Sequence, residues 1–252
     1  MAETILVIPC FNESNRLDIE AIEAFLDSSN GVELLFVDDG SEDDTHKVLT
    51  GLKESHPEKI DLITLKHNKG KAEAVRLGML AAFERTADFI GFWDADLSTP
   101  LDELNAFRDC LQHRPEIEMV FGARVDLLGR SIRRNLFRHY ISRLFATLAA
   151  FVLGMGVYDT QCGAKLFRNS PDIKDLFREP FLSRWIFDVE LIARLIQSRK
   201  ASGKSPAEDV IFECPLMEWQ EVRGSKLRMR DFVRMSLDLV KIRFHYKRNG
   251  RR

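Results

Sequence analysis

Two aspartates stand two residues apart, in Asp94-Ala95-Asp96, directly after the most hydrophobic short run of the chain, Phe89-Ile90-Gly91-Phe92-Trp93. Carboxylates so spaced at the end of a strand can reach one hard divalent cation, Mg2+ or Mn2+. Such a cation can in turn bridge the two phosphates of a nucleotide diphosphate. Solvated loop aspartates are the other reading, but unpaired acids at the edge of a core are costly. Asp38-Asp39-Gly40-Ser41 follows a second apolar run and can serve as a turn and helix cap, with Ser41 as the capping residue and Asp39 a candidate for more. Lys69-Gly70-Lys71 opens a helical segment, where backbone N–H groups and lysines together favour phosphate, a solvated lysine pair being the alternative.

These residues need a scaffold that brings them to one edge. Residues 4–9 and 33–37 are short runs rich in Ile, Val, Leu and Phe, as expected for buried parallel strands. Helical spacing marks residues 19–26; Ser41 with Asp44 resembles a capping box for a helix through about residue 55. Strands at 61–66, 88–93 and 117–123 alternate with helices at 71–85 and 100–113, so the order is that of a doubly wound α/β sheet. In such a sheet ligands bind beyond the carboxyl ends of the strands, where Pro9-Cys10-Phe11-Asn12-Glu13 and the clusters above all fall. No G-x-G-x-x-G follows the first strand, and no lysine has the upstream glycine of a Walker loop, which excludes dinucleotide oxidoreductases and P-loop ATPases. After Arg124 the texture turns to long apolar and basic helical segments with one late strand at 209–214.

Composition sharpens the division. The 252 residues are 45% hydrophobic and 30% charged, an ordinary globular balance. Residues 1–120 carry 11 basic and 25 acidic side chains, and the remainder 26 basic and 14 acidic, so a formal charge of −2 conceals two opposed halves. An anionic partner, a membrane surface or a phosphorylated substrate, is expected for the second half and metal-binding carboxylates for the first. Cys10, Cys110, Cys162 and Cys214 form no Cys-x-x-Cys pair, which points to a reducing compartment and away from zinc. Met1-Ala2-Glu3-Thr4 carries no basic region, so no secretion signal is expected. The longest nearly apolar stretch, residues 144–157, has 14 residues. A bilayer-spanning helix needs about 20.

Pro9-x-Phe11-Asn12-Glu13, Asp38-Asp39-Gly40-Ser41, Asn68-x-Gly70-Lys71, Asp94-Ala95-Asp96 and Gly122-Ala123-Arg124 occur in an order and at spacings that resemble family 2 inverting glycosyltransferases of the GT-A fold. Ser142-Arg143, the run from Asp159 to Phe167, Trp185-x-Phe187-Asp188-Val189-Glu190-Leu191 and Gly224-Ser225-Lys226 look like the polyprenyl-phosphate branch, the dolichyl-phosphate mannose synthases and glucosyltransferases. The resemblance spans about residues 4–245. It implies a single GT-A type domain over 1–252, a Rossmann-like, mostly parallel sheet flanked by helices, with additional amphipathic helices in the C-terminal half. Residues 1–124 would bind the nucleotide sugar and metal, and 125–252 would face the acceptor and membrane. Pro9, Glu13, Asp39, Lys71, Asp94, Ala95 and Asp96 are then expected at the donor, and Asp94 and Asp96 on Mg2+ or Mn2+. Asp96 and Arg124 would be catalytic. Arg124, Arg138, Arg143 and Lys226 would serve the acceptor phosphate. Ser98 stands where some such synthases carry Gln as a third metal ligand, so water or the Ser98 hydroxyl would substitute.

The function implied is inverting transfer of a hexose from UDP-glucose or GDP-mannose to a polyprenyl phosphate. A phosphate monoester is already anionic at neutral pH and needs positioning more than a general base. A second reading keeps the fold but takes a saccharide or glycolipid hydroxyl as acceptor with Asp188 as base; capping a helix or holding a basic partner are the structural roles open to Asp188. Nucleic-acid binding by the basic half is a distant third, since no nucleic-acid motif accompanies the charge, and no nucleic-acid partner is expected. On a helical wheel of residues 227–248, Arg230, Arg234, Lys241 and Arg248 fall within roughly 40° of each other, with Phe232, Met235, Leu239, Ile242 and Tyr246 opposite. Arg130, Arg133, Arg134, Arg138 and Arg143 precede the apolar stretch at 144–157. Both patterns suit helices lying at an interface, or apolar faces packed on the core with solvated basic faces. The expected location is therefore cytoplasmic, with peripheral attachment to the cytoplasmic face of a membrane.

Overall fold

The computed structural model of the protein describes residues 3–133, 136–222 and 229–249, with side chains described for all of these except 136–141, 229–233 and 247–249. The first half alternates as expected: β1 (Thr4–Cys10), α1 (Ile19–Ser28), β2 (Val32–Asp38), α2 (Thr45–Ser55), β3 (Ile60–Thr64), α3 (Lys71–Phe83) and β4 (Phe89–Trp93). A 3-10 turn at Leu101–Glu103 leads into α4 (Leu104–His113) and β5 (Met119–Ala123). The second half contributes β6 (Ser131–Arg133), α5 (Leu136–Leu153), β7 (Ala164–Arg168), α6 (Pro171–Asp175), α7 (Phe187–Ala201), β8 (Ile211–Pro215), β9 (Glu218–Gln220) and α8 (Met229–Asn249).

Seven strands form one sheet in the order β3-β2-β1-β4-β7-β5-β8, and β6 pairs with β9 beside it. Neighbours in β3-β2-β1-β4 are parallel, as are β5 and β8, whereas β7 runs antiparallel to both β4 and β5. Successive side chains of the apolar strands point to opposite faces, so each strand feeds two cores. Leu6, Ile8, Leu34, Phe36 and Trp93 pack with Phe107 of α4 on one face. Ile5, Val7, Val37 and Phe92 pack with Met79 of α3 and Phe187 of α7 on the other. Each such fully buried side chain contributes about 1.5–3 kcal/mol of transfer free energy.

Two expectations are corrected. Ser41 does not cap α2: its hydroxyl accepts the Asn12 N–H at 3.0 Å, so it is spent on the loop after β1. The helix starts later, at Thr45, whose N–H is taken at 3.0 Å by the Asp43 carboxylate. The late strand is also not alone. β7 lies in the sheet between β4 and β5, and a charged residue near its start, Lys165, breaks the apolar run that marks the other strands.

A third cluster joins Phe145 and Ala149 of α5, Val189 and Ala193 of α7, and Met235, Leu239 and Ile242 of α8. The apolar face of the last helix thus packs inward. Fully buried Glu190 fastens it, accepting from Leu182 N at 2.7 Å, Arg194 at 2.8 Å and the Tyr246 hydroxyl at 2.9 Å. With its lone pairs used, Glu190 is a satisfied structural carboxylate.

Candidate active site

The carboxyl ends of β1, β2, β4 and β5 open on one edge of the sheet. Because β7 is antiparallel, the loop that leads into it, residues 159–163, arrives at that same edge. Register pairs Trp93 with Ala164, which sets Asp94 against Gly163. A Cβ at position 163 would lie 1.9 Å from Asp94 Oδ2, so only glycine leaves this carboxylate its place. Gly40 makes a comparable approach with φ +67°: a Cβ there would meet the His67 carbonyl carbon at 2.6 Å. The turn after β2 can therefore press against the loop after β3.

A cavity of about 550 Å³ occupies this edge, within the usual range of ligand sites. Its floor is ionic. The Lys71 ammonium contacts Asp94, and Arg16 donates to Asp96 at 2.9 Å and to Glu13 at 3.0 Å. Burial opposes both charges of the first pair. Even so, Lys71, Lys165 and Arg124 hold the Asp94 carboxyl below its ordinary value, while Asp94, Asp188 and Asp96 hold the Lys71 ammonium above its own. Arg124 grips Asp159 through Nε at 2.6 Å and Nη2 at 2.8 Å and lies 5.2 Å from the centroid of Trp219. Deeper still, Lys165 is fully buried; it donates to the carbonyls of Thr160 and Cys162 and pairs with Asp188 at 2.7 Å. Burial pushes the Asp188 carboxyl up, opposed by Lys165 and Lys71.

The roof comes from the second half. Ser142, Phe145 and Ala146 of α5 and Met235 of α8 face the cavity. The other side of the same helix pair exposes Leu144, Leu148 and Phe151 on α5 and Leu237, Val240 and Phe244 on α8. Arg243 ties the two, with its guanidinium 4.8 Å from the Phe151 ring centroid and a bond of 2.9 Å to the Phe151 carbonyl.

The profile of one family, glycosyl transferase family 2, matches residues 5–176. The chain belongs to glycosyl transferase family 2. It is 34% identical over 258 residues to the dolichyl-phosphate beta-glucosyltransferase of Mus musculus, covering 96% of this chain and 75% of that one. Against the enzyme of that name from Homo sapiens the identity is 32%, with the same two coverages of 96% and 75%. Among solved structures, glucosyl-3-phosphoglycerate synthase from Mycobacterium tuberculosis, in complex with Mn2+, UDP-glucose and phosphoglyceric acid, superimposes with a TM-score of 0.67 at 18% identity. The match covers 97% of this chain and 79% of that one, a likeness of fold.

This family 2 glycosyltransferase gathers most of the residues singled out from its sequence. Pro9, Glu13, Asp39, Lys71, Asp94, Ala95, Asp96, Ser98 and Arg124 all line the cavity. Both Asp39 oxygens are engaged by the loop after β3, accepting from Asn68 Nδ2 at 3.0 Å and from the Lys69 and Gly70 N–H groups at 2.7 Å each. Burial pushes its pKa up against those backbone donors. The Ser98 hydroxyl donates to Asp96 at 2.8 Å, so it orients that carboxylate. Arg143 is not among the cavity's described lining: it stacks 3.9 Å from the Tyr158 ring centroid and donates to the Tyr158 carbonyl. The side chain of Arg138 and the whole of Lys226 lie outside the described residues.

Sequence reasoning passed over Arg16, Arg184 and Trp219 as lining residues, and Lys165 as the partner of Asp188. A signal existed for Arg16. It follows Glu13 by three residues in a turn closed by Arg16 N to the Glu13 carbonyl, which returns its side chain over the acid.

Proposed function

We propose that this glycosyltransferase moves glucose from UDP-glucose to a polyprenyl phosphate of the dolichyl type, with inversion at the anomeric carbon. One observation carries the reading: the cavity joins a pair of strand-end carboxylates to a roof of two helices whose outer faces are apolar, while the carboxylate nearest to a general base, Asp188, is bound to buried Lys165. A hydroxyl acceptor would need that base. A phosphate acceptor does not, because it is deprotonated already. The dolichyl-phosphate beta-glucosyltransferases of mouse and human, and the UDP-glucose in the solved synthase of the same fold, support the choice of sugar, lipid and nucleotide.

The residues present suit a hard divalent ion. Among the described residues no three His, Cys, Asp or Glu side chains converge to cage a metal. Two carboxylates, Asp94 and Asp96, instead face the cavity partly exposed, and Mg2+ or Mn2+ commonly takes one or two carboxylates together with substrate phosphates. Gly163, without a side chain, leaves the Asp94 carboxylate room at that corner of the cavity. Asp94 and Asp96 would hold the ion, with Ser98 orienting Asp96. When bound, the ion would neutralise charge on the departing nucleotide diphosphate.

The chain's own groups do the rest. Pro9, Glu13, Asp39 and Ala95 form the nucleoside end in this reading, with Lys71 near the diphosphate and Arg124 directed at phosphate oxygens. A lipid phosphate oxygen attacks the anomeric carbon, the bond from that carbon to the diphosphate oxygen breaks, and its electron pair leaves on UDP. No proton moves. Positioning and charge stabilisation supply the catalysis. Residues 1–124 are thus the donor half and 125–252 the acceptor half. The test is extraction: label from UDP-glucose should enter the organic phase when a polyprenyl phosphate is supplied.

We further place the active site at the cytoplasmic face of a membrane, attached peripherally. No helix among the described residues is long and apolar enough to cross a bilayer. The stripes on α5 and α8 give an in-plane contact, flanked by Arg234, Lys241 and Arg243. A basic rim gains about 1 kcal/mol per charge near anionic headgroups. The chain is expected to sediment with anionic vesicles at low salt, and F151E combined with F244E should weaken that binding about tenfold or more without altering the thermal melt. Equal sedimentation of both proteins would remove these helices from the membrane contact.

A further inference from the structure

Each cavity-facing carboxylate of the metal pair already has a cation of its own. Lys71 sits on Asp94, and Arg16 bridges Asp96 at 2.9 Å and Glu13 at 3.0 Å. Neither cation is part of the sheet: Arg16 lies in the loop after β1, and Lys71 is the first residue of α3. The Arg16 Nε is buried and has no hydrogen-bond partner among the described residues, so the guanidinium retains an unused donor beside the cavity. Arg16 and Lys71 both line that cavity.

A lone divalent ion approaching Asp94 and Asp96 meets two positive charges in contact with the oxygens it needs. Displacing them strips Lys71 of its contacting carboxylate and leaves Arg16 with Glu13 alone, in a partly desolvated pocket where weak screening makes the loss unfavourable. A nucleotide diphosphate removes the conflict, since its oxygens can pair with both cations while the carboxylates turn to the ion. We propose that Arg16 and Lys71 are positioning residues that keep Asp94 and Asp96 closed to a lone divalent ion and admit it only together with a nucleotide diphosphate. The inference rests on the donor-site reading above and adds an order of binding to it.

The test is direct binding of Mn2+ to the full chain, followed by the electron paramagnetic resonance signal of the free ion. Titrations are run alone and with saturating UDP or GDP, corrected for the Mn2+–nucleotide complex. The wild type should bind Mn2+ at least about 100-fold more weakly alone than with nucleotide. R16Q and K71Q should each tighten nucleotide-free binding by about tenfold, whereas R16K, which keeps the charge, should stay as weak as the wild type. A thermal melt establishes that each variant is folded, and either neutral variant alone suffices. Equally tight Mn2+ binding by the wild type with and without nucleotide, or unchanged nucleotide-free binding in folded R16Q and K71Q, overturns the inference and leaves the donor site intact. Absence of Mn2+ binding in every titration overturns the metal-dependent donor site together with it.

Discussion

Asp94→Asn is expected to lower kcat for sugar transfer by about 10³-fold or more while the thermal melt stays close to that of the wild type. The substitution is isosteric and removes one charge from a cavity wall, so the cores on either face of the sheet are untouched. What it removes is the carboxylate that Lys71, Lys165 and Arg124 together keep ionised. An amide cannot replace it on a divalent ion, and Lys71 is left facing a neutral group. G163A attacks the same atom by another route. The new methyl would need the space of Asp94 Oδ2, 1.9 Å from the Cβ position. A shift of about 1 Å at a reacting centre costs about 10²-fold, so this variant should retain the carboxylate and still lose most of its activity. Steady-state kinetics over a Mn2+ titration separates the two: excess metal should not restore D94N, and G163A should show a raised metal requirement.

Arg124→Ala should cost both stability and activity, about 3–5 kcal/mol of the former. The two-pronged bond to Asp159 lies where the side chains are 15% and 9% exposed, so truncation strands a carboxylate in a place poor in water. Asp159 also accepts the Arg124 N–H at 3.2 Å and the Gln161 N–H at 3.1 Å, which fixes the loop entering β7. The double variant R124A/D159A should recover part of the stability in a double-mutant cycle, because no unpaired charge remains, yet recover no transfer. Recovery of both would assign Arg124 to the scaffold alone. The pair also sets an acid limit. Arg124 holds the Asp159 carboxyl below its ordinary value of about 4, so its contribution is present above that pH and fades as pH falls towards the lowered value. In D159N this part of the acid sensitivity should vanish.

The donor side of the site was legible because its residues are strand-end residues, and parallel strands announce themselves as unbroken apolar runs. Asp39, Asp94 and Asp96 each follow such a run, and one topological rule brings them to one edge. The acceptor side hides for the opposite reason. β7 carries Lys165 as its second residue, and a lysine inside a strand reads as solvent-facing until Asp188, 23 positions later on α7, is seen to pair with it. Helix periodicity groups Met235, Leu239 and Ile242, which pack inward, on one face of α8, but leaves open whether core or interface takes that face. It did not reveal that Leu237, Val240 and Phe244 form a second apolar stripe on the outside, since a helix apolar on two sides blurs the single peak that a wheel displays. Arg143, expected at the acceptor phosphate, lies against the Tyr158 ring.

The central claim is that a lipid phosphate is the nucleophile and that no base is required. It is tested most directly by supplying labelled UDP-glucose and Mg2+ with three acceptors in turn: a short polyprenyl phosphate, the polyprenol lacking the phosphate, and a free saccharide. Label should enter the organic phase with the polyprenyl phosphate alone. Transfer to the polyprenol or the saccharide, with none to the phosphate, would contradict the claim and restore Asp188 as the base of a hydroxyl glycosyltransferase.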